Sequence, residues 1–112
     1  MLKPGPAKQV TIYVGEDVHH RGEPLYLAVL NYLFTHRVAG ATVLKGVAGF
    51  GSEHHLHTTR LLEMTENLPL RIEFIESANT LDTLLPALRA LVTEGLIVVS
   101  DVEVIQHTHI TR

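Results

Sequence analysis

The chain has 112 residues, 46% of them apolar, with a formal net charge of −3 and no cysteine. That is the size of one domain with a real core, and it excludes disulfides, thiol catalysis and cysteine-based zinc sites. A general nucleic-acid binder is excluded too: its nine Lys and Arg are scattered from Lys3 to Arg112 without a run, whereas phosphate neutralisation needs a clustered basic face.

No apolar stretch approaches the roughly 20 residues of a membrane span. Met1–Pro6 lacks the apolar core of a signal peptide. A cytoplasmic protein without membrane insertion is therefore expected, one domain over 1–112, with residues 1–8 as a loose leader and 106–112 as a tail. Gln9–Gly15 alternates, is enriched in β-branched and aromatic residues and reads as the first strand, closed by Gly15. Glu16–Gly22 is polar and reads as a loop. Pro24 suits the first turn of a helix, whose apolar face is Leu25, Val29 and Leu33 with Tyr26, Leu30 and Phe34; Gly40 is the expected left-handed cap.

Ala41–Val47 is apolar at most positions and predicts a second strand, central in a sheet. A Gly- and His-rich loop follows over Ala48–His57, and Thr58–Met64 reads equally as strand or helical turn. Leu70–Glu76 alternates as a third strand, with Leu70, Ile72 and Phe74 (or the opposite face at Ile75) as its apolar face and Arg71, Glu73 and Glu76 facing away. Ser77 or Asn79 can cap a second helix carrying the stripe Leu81, Leu84, Leu85, Leu88, Leu91 and Val92 and ending at Gly95; Pro86 inside it predicts a kink or a restart. Leu96–Val99 and Val102–Ile105 are the last extended pieces, broken at Ser100–Asp101, and His107 and His109 extend the alternation. The order β-α-β-β-α-β predicts an α+β, ferredoxin-like sandwich: an antiparallel sheet with both helices on one face. The sheet's other face also carries apolar residues and calls for burial against another subunit.

The chemistry-bearing candidates cluster after the second strand. Three glycines within Gly46–Ser52 let a backbone approach an anion and aim N–H groups at it; a hairpin or bulge that simply needs glycine is the other reading. Lys45 and Arg60 are the nearest cations for a phosphate, although Lys45 also reads as an exposed sheet residue. His54, His55 and His57, beside Glu53, read either as a solvated loop or as a divalent-metal site. His19–His20 and the pair His107 and His109 invite the same question. Glu16 and Asp17 read as a solvated acidic loop rather than paired catalytic carboxylates. No nucleophile, base and orienting group can be named together, so an enzyme is not expected.

Tyr13–Asp17, Gly22–Tyr26, Ala39–Gly46, Gly49–Gly51, Leu68–Leu70 and Asp101–Ile105 together resemble a bacterial family of PII-like proteins, from about Lys8 to Ile105. More distantly, Gly40–Val43 running into Gly49–Gly51 is similar to the second strand and T-loop base of the nitrogen-regulatory PII proteins. That resemblance implies a homotrimer binding adenine nucleotides in clefts between subunits and acting on a partner such as a membrane transporter or channel. Carried over, it implies ligand contacts at Gly49, Phe50, Gly51 and Ser52, beside Lys45, Gly46 and Arg60. Two departures accompany it. Ser52–Thr58 is short and holds no Tyr for uridylylation, and Thr93–Leu96 stands without Lys where PII proteins carry a Gly- and Lys-rich phosphate loop. The competing reading is a divalent-metal-binding trimer, resembling the copper-tolerance proteins, with His54, His55 and His57 as ligands.

Overall fold

Alternation decides the sheet. The computed structural model describes residues 1–50, the backbone at 57–58, and residues 68–109. Strand β1 spans Gly5–Gly15 and buries Val10, Ile12 and Val14 (0%, 0% and 4% exposed), leaving Tyr13 on the opposite face 42% exposed, as a side-chain period of two requires. After two short strands, β2 (His19–His20) and β3 (Glu23–Pro24), come α1 (Leu25–Thr35), β4 (Ala41–Lys45), the short β5 (Ala48–Gly49) and β6 (His57–Thr58), β7 (Pro69–Glu76), α2 (Ala78–Leu91) and β8 (Leu96–Val104). β4, β7, β1 and β8 form one sheet in that order, every neighbouring pair antiparallel. With α1 and α2 in the two crossovers, this is the expected ferredoxin-like α+β sandwich.

Both helices cover the same face. Leu25, Val29 and Leu33 of α1 and Leu81, Leu84 and Leu88 of α2 join Val10, Ile12, Val14, Leu70, Ile72 and Phe74 in one buried cluster. The Ser77 hydroxyl caps α2 by accepting from the Thr80 N–H at 3.2 Å, which satisfies one of the donors a helix start leaves open. The helix does not restart at Pro86: it runs as one element from Ala78 to Leu91. Its buried stripe stays in register on both sides of the proline, and that packing outweighs the lost hydrogen bond.

Other expectations are corrected. β1 begins at Gly5 rather than Gln9, because Gly5 through Lys8 pair with Val104 through Asp101, so the free part of the leader is shorter than 1–8. β4 is an edge strand, hydrogen-bonded only to β7, not a central one. The last strand is continuous: Ser100 and Asp101 pair with Gln9 and Lys8, and Lys8 forms an ion pair with Asp101. An edge strand hydrogen-bonds through its backbone and tolerates polar side chains. Phe34 does not belong to the apolar face of α1 and is 82% exposed. That helix ends at Thr35, not at Gly40. Arg37 takes the left-handed position (φ 58), with Val38 N–H donating to Leu33 O and Arg37 N–H to Phe34 O, both at 3.1 Å. This is a Schellman closure, with arginine where glycine is usual.

Glu76 is the most consequential departure. It does not face away with Arg71 and Glu73 but shares the core-side parity of Ile72 and Phe74 and is 7% exposed. Its Oε1 accepts the Ala39 N–H at 2.9 Å, tying the α1–β4 connection to the end of β7. Glu76→Ala is expected to cost about 1 kcal/mol by removing the acceptor of that part-buried N–H, and Glu76→Gln distinctly less because an acceptor remains; urea unfolding of the two variants measures the difference.

Gly95, between α2 and β8, has φ 156, and a Cβ there would lie 2.6 Å from the Tyr13 carbonyl oxygen. No side chain fits that turn. Among the described residues no helix is long and apolar enough to cross a membrane.

Candidate functional site at one end of the sheet

Three chain segments converge at the end of the sheet where the Gly-rich stretch begins. The Glu16 N–H, just past β1, donates to Leu68 O at 3.0 Å, and the Gly46 N–H, just past β4, donates to Pro69 O at 2.7 Å. These two bonds close the sheet end on both sides of the segment between Gly46 and Leu68. Lys45, the last residue of β4, places its ammonium 3.0 Å from Glu16 Oε2 and 3.2 Å from Oε1. The Lys45 side chain is 52% exposed and that of Glu16 only 25%. Oε2 is out of contact with solvent and has no well-directed hydrogen bond, so the ion pair is its compensation; the short N···O distance decides this over the hydrogen-bond angle.

The glycines here have a packing reason. A Cβ at Gly46 would meet Pro69 Cγ at 2.8 Å and Pro69 O at 3.2 Å, and one at Gly49 would meet the same Cγ at 3.0 Å. Neither glycine has a positive φ. Close approach of β4 and β5 to the Pro69 ring therefore selects glycine at both positions, and the Gly46 N–H is already engaged. Beyond them Ala48 pairs with Thr58 and Gly49 with His57, a small ladder at whose rim Phe50 stands 65% exposed.

Of the residues singled out from sequence, the structure thus brings together Lys45, Gly46 and Gly49, with Phe50 beside them. Gly51, Ser52, His54, His55 and Arg60 lie outside the described residues, and His57 is described only as the backbone partner of Gly49. Glu16 was missed as a member of this site: read locally it is one acid in a polar loop, and its partner lies 29 residues away.

The remaining histidines do not assemble a centre. Among the described residues no group of three or more His, Cys, Asp or Glu is placed to hold a metal ion. His19 Nδ1 donates to Asp17 O at 2.8 Å, and His107 Nδ1 accepts the Leu2 N–H at 2.9 Å. β8 stops at Val104, so His107 and His109 are not neighbours on a strand face as the alternation suggested. His20 and His36 line a cavity of about 430 Å³ with Arg21 and Asn31. Arg21 and Gly22 (φ 50 and 85) turn the β2–β3 hairpin beside it, with the two positive φ values of a type I′ turn.

The face of the sheet away from the helices is apolar and bare. Tyr13, Leu44, Leu96 and Val98 are 42%, 42%, 55% and 43% exposed, and register places Tyr13 opposite Leu96 and Thr11 opposite Val98. Arg71 and Glu73 sit among them as an ion pair at 2.8 Å. A groove of about 670 Å³ crosses one end of this face, bordered by Thr42, Glu73, Ile75, Val102, Val104 and His107.

Comparison with known proteins places this architecture. The family model of DUF190, described as "Uncharacterized ACR, COG1993", matches residues 7–104. The chain belongs to the DUF190 family. Among curated relatives, a UPF0166 protein of Aquifex aeolicus (strain VF5) is 30% identical over 98 residues, covering 88% of this chain and 92% of that protein. A UPF0166 protein of Methanocaldococcus jannaschii is 30% identical over 99 residues, covering 88% and 91%. Among solved structures, CPII, a nitrogen regulatory PII-like protein from Thiomonas intermedia K12 bound to ADP, AMP and bicarbonate, superposes with a TM-score of 0.69 at 19% identity, covering 95% of this chain and 94% of that one. This DUF190 chain therefore has the PII-like fold that its motifs implied.

Proposed function

We propose that this DUF190 protein is a PII-like regulatory protein that works by binding a ligand, not by catalysing a reaction. Its ligand is an adenine nucleotide, held in clefts between the subunits of a homotrimer at the end of the sheet marked by Lys45, Gly46, Gly49 and Phe50. Gly51, Ser52 and Arg60 complete that set. The bare apolar face supplies the surface along which subunits pack, since an exposed patch of this kind marks an interaction site. Occupancy of the clefts is read by a partner protein, a membrane transporter or channel, from the cytoplasmic side.

The observation that carries this reading is the convergence at the sheet end: a lysine, two glycines held against Pro69 and a short hairpin, within a fold shared with CPII, whose structure contains ADP and AMP. A sensor needs states of different affinity for its ligand, and the exposed rim beside Phe50 is where they would differ.

The test is thermal unfolding of the purified protein against ATP, ADP, AMP and divalent metal ions. A nucleotide at about 100 times its Kd is expected to add about 2.7 kcal/mol of stability, a rise in Tm of about 10 °C or more for a domain of this size. No rise with any nucleotide overturns the nucleotide reading. A rise with metal alone, lost on changing His54, His55 and His57 to alanine, replaces it with the metal-binding trimer.

A further inference from the structure

We propose that Glu16 is a built-in competitor for the anion at this site: its carboxylate occupies Lys45 in the ligand-free protein, and an incoming phosphate must take Lys45 away from it. The inference rests on the nucleotide-binding reading and adds the step by which binding is regulated and reported.

The geometry makes such an exchange available. The other described ion pairs leave no comparable group here: Arg71 is held by Glu73 on the bare face, and Lys8 by Asp101 towards the opposite end of β1. Among the described residues Lys45 is the cation beside Gly46 and Gly49, and its side chain is half exposed, within reach of a ligand from solvent, while Glu16 approaches it from the protected side. An ion pair with one partner so exposed is weakly held. A phosphate carries more charge and more acceptor oxygens than a carboxylate and forms the stronger charge-assisted bond.

The consequence is local but directional. Once Lys45 turns to the phosphate, the inner oxygen of Glu16 has lost its compensation in a protected position, and a buried unpaired charge is costly. The Glu16 side chain must then move outward. Its backbone N–H is bonded to Leu68 O and the Gly46 N–H to Pro69 O, so the displaced residue is anchored to the strand end that closes the 46–68 segment. Exchange at Lys45 thereby acts on both ends of that segment. Glu16 also sets selectivity, because its negative charge repels a ligand that fails to capture Lys45.

The experiment is calorimetric titration of ATP, and separately of inorganic pyrophosphate, into the wild-type chain, Glu16→Gln, Lys45→Met and the double variant. Glu16→Gln is expected to bind both probes about five- to tenfold more tightly, from the lost competitor and the lost repulsion. Lys45→Met is expected to bind more weakly, and the gain from Glu16→Gln is expected to shrink in the Lys45→Met background to the part due to lost repulsion, since the competition acts only through that lysine; an undiminished gain there overturns the competitor role. In the wild-type chain the ¹³C resonance of the Glu16 carboxylate is expected to move on ATP addition, a readout that needs no variant to fold. Wild-type binding with Glu16→Gln unchanged or weaker overturns the competitor role while leaving the nucleotide reading intact. An unmoved Glu16 resonance at saturation does the same. Absence of binding by the wild-type chain overturns the nucleotide reading itself, and the competitor with it.

Discussion

Ile12→Ala is expected to destabilise the protein by about 3–4 kcal/mol, a large share of the roughly 5–15 kcal/mol that holds a domain together. Ile12 is fully buried in β1, opposite Ile72 of β7 on one side and Ile97 of β8 on the other. It is therefore clamped in the middle of the sheet beneath the helix layer, where the backbone cannot relax into the space that truncation leaves. Interiors are packed to crystal-like density, so the missing atoms leave a cavity whose cost adds to the lost transfer energy. The melting temperature should fall by about 15–20 °C. Ile12→Val, which removes a single methylene, should cost only about 1 kcal/mol. Urea unfolding with a constant m-value is the measurement; equal, small losses for both variants would mean that β1 is not an inner strand of the sheet.

Val98→Glu is expected to abolish self-association while leaving the protomer folded. Val98 lies on the bare face, 43% exposed and opposite Thr11, so a charge there meets water in the monomer and costs little. In an assembly that buries this face, the same carboxylate would be desolvated without a partner, which costs several kcal/mol per site. Val99 provides the control. It is 44% exposed but pairs with Val10 on the helix side, so Val99→Glu should leave assembly intact. Sedimentation velocity of the three proteins distinguishes the cases: a trimer for the wild type and Val99→Glu, monomer for Val98→Glu. Retention of the trimer by Val98→Glu would move the subunit interface off this face.

The contrast between Val98 and Val99 shows what local pattern can say. Side chains alternate across a strand whatever lies around it, so β1 was legible as a strand from its alternation and the core face of β7 as Leu70, Ile72 and Phe74. The leucine stripe of α2 was legible for the same reason, with a period of 3.6 instead of two. Ser77 was readable as a cap because its bond to Thr80 is local, and the order of elements followed from these. Lys45, Gly46 and Gly49 were readable as a group because they are near in sequence.

Pairing across the chain was not legible. That Glu76 turns inward depends on the Ala39 N–H waiting at the end of β7, and that α1 stops at Thr35 depends on Arg37 accepting a strained left-handed backbone in a Schellman closure. That Ser100 and Asp101 continue a strand depends on Gln9 and Lys8 lying opposite. Gly46 and Gly49 owe their identity to the ring of Pro69, and Glu16 joins the site only through Lys45. Sequence by itself thus determined the periodicities, and with them the core faces and the α+β class, because these arise from backbone geometry within one element. The tertiary structure decided the edge strands, the inward turn of Glu76 and the ion pair at the sheet end, because each is a contact between residues that only the folded sheet brings within bonding distance.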